Sequence, residues 1–123
     1  MIKKRRIDKK SLPPRYEPGF LEKLDRRTEI FKVLRRSFTQ IASDLGGEEE
    51  LSHIQHALVE RFVFLEATLT KIEHDMATNP DGSEQFSRWV QAVNSLTGLA
   101  KTLGIQRRVA SRPWIEAKGG KEQ

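Results

Sequence analysis

The chain has 123 residues, no cysteine, and 22 lysine and arginine residues against 17 acidic ones, a formal net charge of +5. This length suits one domain around a single hydrophobic core, and the missing thiols exclude a disulfide framework, a thiolate metal site and a cysteine nucleophile. No apolar stretch approaches the ~20 residues that span a bilayer, so a soluble cytoplasmic protein with no membrane partner is expected.

Charge divides the chain into three parts. Residues 1–16 carry Lys3, Lys4, Arg5, Arg6, Lys9, Lys10 and Arg15 against Asp8 alone, a net +6. Residues 105–123 carry Arg107, Arg108, Arg112, Lys118 and Lys121 against Glu116 and Glu122, a net +3, which leaves the middle at −4. A mildly acidic body with basic ends is the pattern of a chain whose ends seek a polyanion while its body folds or assembles.

Taken in order, MIKKRRIDKK is followed by SLPPRYEPGF, without the apolar run of a secretory signal. With Pro13, Pro14, Pro18, Gly19 and few large apolar side chains, residues 1–19 are expected to form a disordered basic arm, because little burial is available to offset the entropy of ordering. Helical periodicity begins near Phe20 to Thr28 and becomes clear at Ile30, Leu34, Phe38, Ile41 and Leu45. Asp25 or Thr28 caps its start and Gly46-Gly47 closes it.

Ser52-His53-Ile54-Gln55 has the form of a capping box and predicts a second, long helix over 53–77. Its apolar positions Ile54, Leu58, Phe62, Leu65, Leu69, Ile72 and Met76 approach a heptad seam, widened by Val59, Val63 and Phe64. Asn79-Pro80-Asp81-Gly82-Ser83 stops it. A third helix runs from about Glu84 to Leu103, with Phe86, Trp89, Val90, Val93, Leu96, Ala100 and Leu103 on one face and Gly104 as its C-terminal cap. Short connections make an all-α, three-helix antiparallel bundle over 20–104 the economical fold, with a long central helix and a basic tail at 105–123.

Little in the chain points to catalysis. Gly46-Gly47 follows a helix rather than a strand, with no nucleotide-binding Lys-Ser or Lys-Thr after it. His53, His56 and Glu60 share a helix face at metal-ligand spacing, but the reading preferred for them is a solvated first turn. Glu48-Glu49-Glu50 lacks the alternating oxygen ligands of a calcium loop, and no spacing of Ser, His and Asp marks an activated nucleophile. A non-enzymatic protein without metal or cofactor is expected.

The basic residues carry the functional signal. Lys3, Lys4, Arg5, Arg6, Lys9, Lys10 and Arg15 of the arm suit phosphate neutralisation, each neutralised phosphate adding about −0.9 to the slope of log affinity against log salt on duplex DNA. Lys32, Arg35 and Arg36 share a helix face and either extend that footprint or solvate the helix; Arg107 and Arg108 add to it from the tail. No sequence-specific reader is present. Trp89 has core spacing. Arg112, Trp114 and Ile115 either anchor a partner or pack back on the bundle. The wide stripe of the long helix serves one core or, in part, a second subunit.

Leu24-Asp25-Arg26-Arg27-Thr28, Asp44-Leu45-Gly46-Gly47, Leu51-Ser52, Leu58-Val59-Glu60-Arg61, Asn94-Ser95-Leu96-Thr97-Gly98-Leu99 and Leu103-Gly104-Ile105-Gln106-Arg107-Arg108 resemble segments of short phage-related proteins. Over roughly residues 24–108 the chain is similar to small terminase subunits. The helix-turn-helix with which those often begin has no counterpart here, the basic arm standing in its place. The resemblance implies a non-enzymatic homo-oligomer that binds viral DNA through its arms, with Arg112 to Ile115 facing a large motor subunit. A helical protein-interaction module whose basic tails only keep it soluble is the alternative.

Overall fold

A computed structural model describes residues 9–79 and 82–104. Those residues are all-α: α1 (Phe20–Lys23), α2 (Glu29–Asp44), a 3₁₀ turn (Glu48–Glu50), α3 (His53–Thr78) and α4 (Ser83–Leu103). The expected first helix is divided, since Leu24 adopts an extended conformation after α1 and the chain re-enters a helix only at Glu29.

Local chemistry sets these boundaries. Thr28 caps α2, its hydroxyl accepting from the Phe31 N–H at 3.3 Å, so Thr28 rather than Asp25 is the cap. Gly46 and Gly47 follow at φ 112° and 110°, values that side-chain-bearing residues rarely adopt. The Ser52 capping box forms in both directions, Gln55 N–H to the Ser52 hydroxyl at 3.1 Å and Ser52 N–H to the Gln55 side chain at 2.9 Å. Glu48, at the start of the 3₁₀ turn, pairs with Arg35 at 2.8 Å.

The core lies between α2 and α3. Leu34, Phe38, Ile41 and Ala42 of α2 meet Val59, Val63 and Phe64 of α3, and Leu103 joins them from the end of α4. Full burial of side chains of this size contributes roughly 1.5–3 kcal/mol each. Phe38, late in α2, meets His56 at the start of α3, whereas Glu29, Ile30 and Val33, early in α2, line a groove with Ala67 and Thr70 further along α3, so the two helices run in opposite directions. α4 lies along α3, where Ile72 and Ala92 are buried away from the main cluster. At about 100° per residue, Val59 and Val63 occupy a different side of α3 from Leu69, Ile72 and Met76, which explains the width of the apolar stripe.

Two groups of residues differ from their sequence reading. Residues 9–19 are not simply an arm in the structure: Leu12 and Tyr16 pack against the core, with Phe20, Leu21 and Leu24 buried immediately after them. Tyr16 forms edge-to-face contacts with Phe20 and Phe64 at ring-centroid distances of 6.0 and 5.6 Å. Two aromatic rings and three leucines between residues 12 and 24 outweigh the proline- and lysine-rich composition around them. On α4, Phe86 and Val90 are exposed, because α4 packs mainly along α3, which covers only part of its apolar face.

Candidate nucleic-acid interface

Several of the described basic residues, Lys9, Lys10, Arg26, Arg27, Lys32 and Arg36, belong to the N-terminal segment and the start of α2. The Asp25 N–H donates to the Lys9 carbonyl at 2.8 Å, tying the root of the basic segment to the Asp25-Arg26-Arg27 turn. Lys9, Lys10, Arg26 and Arg27 are all exposed, and the turn leads directly into α2. There Lys32 and Arg36, one helical turn apart, lie on the side turned away from Leu34, Phe38 and Ile41. Glu29 is the one acid on the same outer side of those first turns.

The cations are not equivalent. Arg27 chelates Asp25, donating from Nε to Oδ1 at 3.1 Å and from NH2 to Oδ2 at 3.0 Å, while its backbone N–H reaches Oδ1 at 2.9 Å. The hydrogen bonds from Arg27 hold Asp25 down at about 2, so this pair is neutral overall across the physiological range. Arg35 is half-buried, paired with Glu48 and lying over the Phe38 ring at 5.2 Å. Its charge is spent within the fold, which separates it from Lys32 and Arg36. Arg26 lies over the Phe31 ring at 5.8 Å, a contact that leaves guanidinium N–H groups available. Lys9, Lys32 and Arg36 have no carboxylate within ion-pair distance among the described residues.

The remaining candidates are scattered or outside the described residues. Arg15 is exposed on the segment beside Tyr16. Lys3, Lys4, Arg5, Arg6, Arg107, Arg108, Arg112, Trp114 and Ile115 lie outside the described residues. Trp89, expected in the core, is half-buried; its indole N–H donates to Glu73 at 3.0 Å and its ring stacks on exposed Phe86.

Glu60 is the residue that sequence reasoning misplaced. Grouped with His53 and His56 as a solvated helix start, it is only 8% exposed, and its Oε1 accepts from the Tyr16 hydroxyl at 2.6 Å and the Gly19 N–H at 3.0 Å. His56 instead packs its ring on Phe38, and no group of three metal-binding side chains exists among the described residues. Helical spacing placed Glu60 on the helix but carried no sign of the N-terminal segment that covers it. Tyr16 was the available signal, a large aromatic residue within an otherwise polar stretch.

No described helix is long and apolar enough to cross a membrane. No protein-family model, curated protein or solved structure matches the chain.

Proposed function

We propose that the protein is a non-enzymatic nucleic-acid-binding protein that holds the phosphate backbone of DNA with its basic N-terminal segment and the outer side of α2. The observation that supports this most directly is the anchoring of Lys9 to Asp25, which sets the root of the segment MIKKRRIDKK beside Arg26 and ahead of Lys32 and Arg36. Binding through phosphate contacts has low sequence specificity and falls steeply with salt. The proposal includes the three-helix antiparallel bundle as the working assembly of α2, α3 and α4, with cytoplasmic placement. It extends, through the small-terminase resemblance, to a DNA-packaging role in which copies associate and Arg112, Trp114 and Ile115 meet a motor subunit.

Charge-neutralising variants of the full chain test the reading by anisotropy on labelled duplex DNA. Lys9→Gln/Lys10→Gln and Lys32→Gln/Arg36→Gln are expected to weaken binding, whereas Lys71→Gln/Arg88→Gln, at the α3–α4 end, leaves it unchanged. Equal effects from all three pairs would reduce the interface to unlocalised charge.

The alternative, a protein-interaction module, draws support from a groove of about 360 Å³ between α2 and α3. It is lined by Ile30, Val33, Leu34, Val63 and Ala67. Failure to bind DNA at low salt would favour that reading.

A further inference from the structure

Residues 9–24 run as a strap from the basic segment across α3 to the start of α2, and they are fixed at two points. One is the Lys9 carbonyl on the Asp25 N–H at 2.8 Å. The other is Glu60, whose Oε1 receives both the Tyr16 hydroxyl at 2.6 Å and the Gly19 N–H at 3.0 Å. Burying a carboxylate is costly unless hydrogen bonds replace its water, so one α3 residue depends on two strap donors, and the strap depends on it in turn. Gly19 meets this requirement with φ 77°, a left-handed conformation that costs glycine little. Packing reinforces the fixture: Tyr16, Phe20 and Phe64 form three mutual edge contacts, and the Arg61 guanidinium lies over the Tyr16 ring at 4.8 Å.

We infer that Tyr16 and Glu60 are positioning residues for polyanion binding. Neither touches the phosphate backbone; by closing the strap on α3 they set Lys9 and Lys10 beside Arg26 and in line with Lys32 and Arg36, making one continuous surface. The inference rests on the nucleic-acid reading above and adds a distinct consequence. Opening the strap reduces the number of phosphates neutralised at once, and not merely the stability of the fold.

The test compares full-length Tyr16→Phe and Glu60→Leu with Glu60→Gln, whose amide oxygen still accepts from both donors, and with Ile72→Val, a core change remote from the strap. Two quantities are read: the salt dependence of binding to a labelled DNA duplex, and hydrogen exchange at the Gly19 and Asp25 amides. Tyr16→Phe and Glu60→Leu are expected to speed exchange at both amides by about tenfold and to reduce the magnitude of the log–log salt slope by about 1.8, the share of two phosphates. Glu60→Gln and Ile72→Val retain the wild-type slope. Faster exchange with an unchanged slope would overturn the inference while leaving nucleic-acid binding intact, as would unchanged exchange in Tyr16→Phe. A wild-type chain that fails to bind at low salt would remove the nucleic-acid reading, and the positioning role with it.

Discussion

A phenol held 2.6 Å from a buried carboxylate cannot ionise without setting two negative charges against each other. Burial above all, then the hydrogen bond and charge of Glu60, push Tyr16 up to about 12, with Arg61 opposing. Because the folded value lies above that of the unfolded chain, this contribution to stability is complete below pH ~10 and is lost as pH rises toward about 12. Tyr16 is the single tyrosine of the chain, so tyrosinate absorbance in an alkaline titration reports on it alone. Ionisation is expected well above pH ~10 in the folded protein and near 10 in denaturant; coincident curves would contradict the contact. Glu60→Ala strands the Tyr16 hydroxyl and Gly19 N–H without their acceptor and is expected to lower unfolding free energy in urea by about 1–3 kcal/mol. Asp25 behaves in the opposite sense. Its folded value of about 2 lies below the ordinary aspartate value, so its stabilising pairing with Arg27 is present above pH ~4 and is lost as pH falls toward 2.

Elements set by chemistry close in sequence were the most legible ones. Ser52 and Gln55 announce the start of α3 because a capping box needs only residues three apart, and Gly46 and Gly104 mark helix ends because few other residues adopt positive φ cheaply. Ser52→Ala is accordingly expected to cost about 1 kcal/mol, measured as a shift of the urea midpoint. What periodicity could not convey is which side of an apolar stripe finds a partner. The α4 stripe is continuous in sequence, yet Leu103 is buried and Phe86 exposed, because α4 packs mainly along α3 and its C-terminal end reaches the core shared by α2 and α3. Phe38→Ala, at 1% exposure, should therefore cost roughly 3–5 kcal/mol, whereas Phe86→Ser should stay within about 0.5 kcal/mol. Comparable losses from both would mean that α4 is covered by something else in solution. The strap was illegible for a related reason: its apolar residues Leu12, Tyr16 and Phe20 are too few and too irregular to form a period, and their value depends on contacts some 40 residues away in the chain.

Across the whole molecule, the organising feature is a charge asymmetry built onto a helical scaffold. Charge counting located the basic N-terminal region, but it could not tell a cation consumed by the fold from one left for a partner. The structure separates Arg27 and Arg35, paired with Asp25 and Glu48, from Lys32 and Arg36, which face outward. A nucleic-acid interface built this way has its affinity dominated by released counterions rather than by base contacts. The most direct measurement is therefore the affinity of the full-length chain for duplex DNA across a salt series, on two unrelated sequences. A linear fall of log affinity with log salt is predicted, with a slope corresponding to at least four neutralised phosphates at about −0.9 each and nearly equal affinities for the two sequences. Absence of binding at low salt would contradict the account.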